Sequence, residues 1–121
     1  IYATYALTVA SPGGHSSMPG DDNAIYRLAA ALTRLEAHRF PLRLNDGSRA
    51  MLAEAASRGG GALGADIDAI LQGRADDAAI GRVSANPYLD AVMRTTCVAT
   101  MLQAGHAENA LPMRAKATVQ C

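Results

Sequence analysis

The sequence predicts a mixed α/β domain, an antiparallel sheet with a long helix and a helical insertion, in the order strand, helix, insertion, strand, strand. Three observations carry that prediction. Apolar and polar residues alternate at period two from Tyr2 to Ala10 and again from Met113 to Cys121, the pattern of half-buried strands. Ile25, Leu28, Leu32 and Leu35 recur at spacings of three and four, which puts them on one helical stripe facing a sheet. Between these ends the apolar stripes are short, thin and rich in alanine, a residue that favours helix.

The elements follow in chain order. In the first strand Ala3, Tyr5, Leu7 and Val9 take one face, and Tyr2, Thr4, Ala6 and Thr8 take the other. Ser11-Pro12-Gly13-Gly14 ends it, and a polar loop runs on through His15-Ser16-Ser17-Met18-Pro19-Gly20. Asp21 or Asp22 is expected to cap the helix, where negative charge suits the positive end of the dipole. Arg34, His38 and Arg39 gather at the other end, with His38 as a partner of the dipole, and Pro41 stops the helix. Residues 41–93 make the insertion. Ser48 caps a short helix carrying Met51, Leu52 and Ala55, stopped by Gly59-Gly60-Gly61. Ile67, Ile70 and Leu71 mark a second, ending near Gly73. Ile80 and Val83 mark a third, ended by Asn86-Pro87, with a further helical turn at Leu89 to Val92. Residues 57–64 hold four glycines, so that stretch is expected to be mobile. A Thr- and Val-rich strand runs from Arg94 to Leu102, with Cys97 as a small buried hydrophobe. Gln103 to Pro112 joins it to the last strand as a long hairpin. There Met113, Ala115, Ala117, Val119 and Cys121 alternate with Arg114, Lys116, Thr118 and Gln120.

Composition narrows the functional classes. A chain of 121 residues and 12.5 kDa fits one domain with a true core. Eleven basic and eleven acidic side chains balance, against the basic patch of a nucleic-acid binder. No apolar run is long enough for a transmembrane helix, so no membrane partner is expected. Two cysteines make no disulfide framework and no structural zinc site, and Cys121 reads as a thiol exposed where the chain stops. The chain opens at Ile1 directly in strand-like sequence, as a piece of a longer protein would.

No self-contained catalytic cluster stands out. His15, His38 and His106 lack the close ligand spacings of zinc motifs. The serines beside His15 are set aside as nucleophiles, because near neighbours seldom point at each other and no orienting acid follows. Gly13-Gly14 lacks the Lys and the spacing of a phosphate loop. Two polar loops at strand ends remain. In Gly13-Gly14-His15-Ser16-Ser17-Met18-Pro19 the glycines allow close approach of a ligand, and the imidazole can donate to a developing oxyanion. In Gly105-His106-Ala107-Glu108-Asn109-Ala110-Leu111-Pro112 the Asn109 amide can donate to a carboxylate or carbonyl. The residues alone favour a plainer reading of glycine turns, a solvated His and an Asn closing its own Asx-turn. His106 and Glu108 read as solvated loop residues.

Taken together, the two loops carry a resemblance. Gly-Gly-His-Ser-Ser-Met-Pro stands at 13–19, then Asp-Asn-Ala-Ile at 22–25, then Glu-Asn-Ala-Leu-Pro at 108–112 before an alternating strand. In that order they resemble the dimerisation (lid) domain of the zinc-dependent exopeptidases that include carboxypeptidase G, carboxypeptidase S, aminoacylase and succinyl-diaminopimelate desuccinylase. The likeness covers residues 1–40 and 94–121. Ala110-Leu111-Pro112 stands where many relatives carry Val-Ile-Pro. The insertion at 41–93 and Arg94-Thr95-Thr96 are similar to the carboxypeptidase S-like branch, which includes secreted N-acyl amino-acid hydrolases.

The resemblance implies a two-layer, ferredoxin-like α+β sandwich with helices on one face, completed by a helix and strand after Cys121. It implies a parent enzyme whose separate catalytic domain holds two zinc ions, and a homodimer formed through this domain. His15 would reach the partner's active site and steady the tetrahedral intermediate, and Asn109 would help hold a peptide or N-acyl amino-acid substrate. No metal ligand falls in these residues. Two other readings stay open: a free-standing ferredoxin-like binding or regulatory module, and a purely structural dimeriser in which His15 has no catalytic part.

Overall fold

The computed structural model describes residues 2–121, which divide into two compact units, one of the chain up to Arg39 with Cys97–Cys121, the other Phe40–Thr96. The first unit is an α+β two-layer arrangement, as the alternation and the amphipathic stripe predict. Its sheet holds β1 (Thr4–Ala10), β3 (Val98–Ala104) and β5 (Arg114–Gln120), all antiparallel, in the order β1-β5-β3. With the last strand between the first and the middle one, this is part of the ferredoxin-like strand order.

The helix α1 (Ala24–Ala37) covers one face of that sheet. Ala115, Ala117 and Val119 of the central strand are 1%, 1% and 2% exposed, so the alternation at the end of the chain marks a truly buried face. Ala24 and Leu28 pack on Ala115 and Ala117, with Leu7, Val9 and Leu32 around them. Two alanines on the strand leave room for the helix to approach, and burying Leu28 contributes about 2 kcal/mol. The helical stripe differs from the expected one at its start, since Ala24 is buried and Ile25 is exposed. Met113 and Tyr5 are exposed as well.

The cap is Asn23, neither Asp21 nor Asp22. Its side chain accepts from the Ile25 N–H. Asp22 instead accepts from Arg27, 3.2 Å away, and Arg27 also donates to the Ala10 carbonyl, tying the helix start to the end of β1. The second strand begins at Val98, later than the expected Arg94, because Arg94 is used elsewhere. It carries an irregularity between Ala99 and Met101, and its residues are exposed.

The cysteines also differ from expectation. Cys97 and Cys121 form a disulfide, so neither a buried free hydrophobe nor an exposed thiol is present. Register explains it. Val98 pairs with Gln120, which sets Cys97 opposite Cys121. The Cys121 N–H and C=O both bond to Ala3, leaving its other side a narrow, unbonded pair position where side chains lie close.

The second unit holds α2 (Asp46–Gly59), α3 (Gly61–Leu71), α4 (Asp77–Ser84) and α5 (Pro87–Met93). The expected final turn is thus a helix, started by Pro87 and capped by Asn86. In α2 the cap is Asn45 and not Ser48. Ser48 is its reciprocal partner, each side chain bonding the other's backbone N–H at 2.9 Å. The thin stripes still build a core: Leu52, Ala56, Ile67, Ile70, Val83, Leu89 and Met93 pack together. At Gly64 a Cβ would lie 3.0 Å from the Ala56 carbonyl oxygen, so the absence of a side chain lets α3 close on α2. Arg94 clasps the ends of the unit. Its guanidinium donates to the Phe40 carbonyl (3.0 Å) and to Ser84 Oγ (3.1 Å), and Nε lies 2.9 Å from Asp90 Oδ1. The Arg43 N–H bonds the Met93 carbonyl beside it.

Candidate functional site

After β1 the chain stays tied to the segment before β5. The Ser11 N–H donates to the Met113 carbonyl, and Ser11 Oγ donates to the Pro112 carbonyl at 2.6 Å. Gly13 then turns at φ +78° and Gly14 at φ +145°, both open to glycine and strained for other residues. A Cβ on Gly13 would also lie 2.7 Å from Met113 Cγ. The backbone can therefore run alongside the second polar loop.

There it forms a ladder. The strand β2 (Gly14–His15) pairs antiparallel with β4 (Ala110–Leu111), His15 opposite Ala110 and Gly14 opposite Leu111. The Ser16 N–H continues the ladder to the Asn109 carbonyl at 2.9 Å. The two polar loops, far apart in sequence, thus share one backbone platform. Across it His15 faces Ala110 and Ser16 faces Asn109, and both His15 and Asn109 are exposed.

His15 opens a β-turn, its carbonyl accepting from the Met18 N–H. In that turn the Ser17 N–H comes to 3.2 Å from His15 Nδ1, and Ser17 Oγ lies 2.7 Å from the same nitrogen. A backbone N–H can only donate, so Nδ1 presents its lone pair and the ring proton sits on Nε2. The plainer reading of a merely solvated His is corrected, as is the expectation that near neighbours do not point at each other. A two-residue spacing suffices because the tight turn folds residue 17 back on residue 15. Among the described residues no carboxylate bonds the ring, so they form no Ser-His-acid triad. Ser17 is a partner of the ring that the sequence reading, which set the serines aside, did not find. Its signal is present, however, in the turn-forming run Ser16-Ser17-Met18-Pro19.

The Asn109 amide makes no hydrogen bond to any described residue, so it does not close an Asx-turn on its own loop. His106 and Glu108 are exposed, and their side chains bond none of the described residues. Among the described residues no three His, Cys, Asp or Glu side chains gather as a metal ion would need, and the disulfide occupies both cysteines. These residues do not fit a zinc site. No helix among them is long and apolar enough to cross a membrane.

Comparison with known proteins agrees with this architecture. Over 96% of its length the chain is 31% identical to the N-fatty-acyl-amino acid synthase/hydrolase PM20D1.1 of Danio rerio. It is 32% identical, again over 96%, to PM20D1 of Xenopus tropicalis, and 35% identical over 93% to a probable carboxypeptidase S-like protein of Dictyostelium discoideum. The matches span 22%, 22% and 21% of those proteins, so the chain corresponds to about a fifth of each. No solved structure matches. The peptidase dimerisation domain profile covers residues 2–121, and with both polar loops joined on one sheet the chain belongs to the peptidase dimerisation domain family.

Proposed function

We propose that this chain is the dimerisation and lid domain of a larger amide hydrolase that acts on peptides or N-acyl amino acids. The observation that supports the reading is the short ladder that joins the two polar loops, His15 opposite Ala110 and the Ser16 N–H on the Asn109 carbonyl. In this reading the exposed imidazole of His15 and the exposed carboxamide of Asn109 serve one substrate. Addition of water to an amide carbonyl places negative charge on its oxygen. A donor aimed at that oxygen lowers the barrier where the charge develops. His15 supplies it through Nε2–H, reaching the active site of the other subunit in a homodimer. Asn109 holds the carbonyl or carboxylate of the substrate and so acts on binding.

The metal chemistry that the family uses belongs to residues outside this chain, as does the general base. By itself the chain hydrolyses nothing. Steady-state kinetics on the full-length protein test the reading. His15→Ala should lower kcat by about 10²–10³ with KM little changed, because an oxyanion donor acts in the transition state. Asn109→Ala should raise KM by roughly tenfold, the worth of a polar contact to a charged group. Metal content and dimer mass should be unaltered. Near-normal turnover for His15→Ala would reduce this domain to a structural dimeriser.

A further inference from the structure

From the contacts around the imidazole we infer that Ser17 is a positioning residue that fixes the tautomer and the plane of the His15 ring. The inference rests on the reading of His15 as an oxyanion donor. A neutral imidazole has two tautomers of similar energy in water, and only one carries its proton on Nε2. Here two groups select it. The Ser17 backbone N–H, 3.2 Å from Nδ1, cannot accept a proton, so Nδ1–H would face a donor. With the lone pair so placed, the Ser17 hydroxyl, 2.7 Å from the same atom, can donate to it as well. Both groups are held by the β-turn closed from Met18 N–H to the His15 carbonyl, and the turn is anchored by the ladder at Ala110 and Asn109. Ring and backbone therefore form one rigid unit. The ring can present Nε2–H to a second surface without first reorganising, which is the condition for an effective oxyanion donor.

The nearest alternative role for Ser17, a nucleophile, does not fit. Its hydroxyl is bonded to a nitrogen that its own backbone N–H also occupies, and no acid orients the ring from the far side.

The test is a double-mutant cycle in the full-length protein together with the nitrogen resonances of the ring. Ser17→Ala should lower kcat by roughly three- to tenfold, the range for loss of one hydrogen bond, with KM unchanged. Ser17→Thr, which keeps a hydroxyl at the same position, should restore it. In a His15→Ala background the same Ser17→Ala change should cost nothing more, since its effect passes through the ring. With selectively ¹⁵N-labelled histidine, the His15 signals are those lost in His15→Gln. They should show Nδ1 unprotonated and Nε2 protonated in the parent, and a mixture of tautomers in Ser17→Ala. Equal loss from Ser17→Ala in both backgrounds would overturn the proposal, as would a protonated Nδ1 in the neutral parent ring. If instead His15→Ala leaves turnover normal while the ring shows the Nε2 tautomer, the oxyanion reading fails and the tautomer lock stands.

Discussion

Replacing Arg94 with alanine should loosen the helical unit while leaving the sheet intact. The side chain is 11% exposed and its partner Asp90 is 19% exposed, so solvent screens the pair weakly. Truncation removes the donors to the Phe40 carbonyl and Ser84 Oγ and leaves Asp90 without its counter-charge. Breaking a buried pair from one side typically costs about 3–5 kcal/mol. The Arg94 Nε–H is not aligned with Asp90 Oδ1 as a hydrogen bond, so the lower end applies, about 3 kcal/mol. At 1.4 kcal/mol per decade, amide exchange in the core of α2 to α5 should quicken by about a hundredfold. Hydrogen exchange read by mass spectrometry resolves this, with peptides from β1 and β5 as internal reference. Asp90→Ala should cost less, because Arg94 keeps its bonds to Phe40 and Ser84. Arg94→Lys should fall between, since an ammonium cannot fork to three acceptors set by a planar group. An effect of Arg94→Ala below about threefold, or one equal in both units, would refute the clasp.

Two further outcomes follow from the geometry. Gly13→Ala should lower stability by about 1–2 kcal/mol through its positive φ and the close Met113 Cγ. Gly20→Ala, where a Cβ meets nothing, is the control in the same urea titration, and equal midpoints would contradict the strain. In the helical unit, Arg82 reaches Asp66 with two hydrogen bonds of 2.7 and 2.8 Å. Chiefly through that bonding, it holds the Asp66 carboxyl below its ordinary value. The folded state thus prefers the ionised form. Its contribution is full above the unfolded carboxylate pKa near ~4 and fades as pH falls through the depressed folded value. Acid titration of unfolding should therefore be steeper in the parent than in Asp66→Asn, with the two converging at low pH. Parallel curves would show that the pair adds no stability.

The parts legible in the sequence are those with a period. Ala115, Ala117 and Val119 declare β5 by alternation, and Leu28 and Leu32 declare the buried side of α1. Features set by register were not legible. Nothing in the spacing of Cys97 and Cys121 reveals that Val98 pairs with Gln120, and the disulfide follows from that pairing alone. The ladder at Gly14–His15 and Ala110–Leu111 is two residues long, too short to carry any periodicity. Asp21, Asp22 and Asn23 are all good cap formers, so only the backbone decides among them. In the insertion the stripes mark Leu52, Ile67, Ile70 and Val83, but each helix gives only one or two residues, so their joining into one core is not legible.

The Arg94 clasp bears on chain entropy. An excursion from Phe40 to Thr96 made of unstructured chain would add loop-closure entropy to the sheet, rising with the logarithm of its length. Because Arg94 bonds Phe40 and Arg43 bonds Met93, the folded helices return the chain close to where it left. To the strands on either side the excursion then behaves as a connection of a few residues, which spares about 2 kcal/mol of closure entropy. An insertion with tethered ends can lengthen, shorten or diversify without changing the distance that its host must bridge. That freedom allows one sheet and its His15–Asn109 platform to carry helical additions of different size.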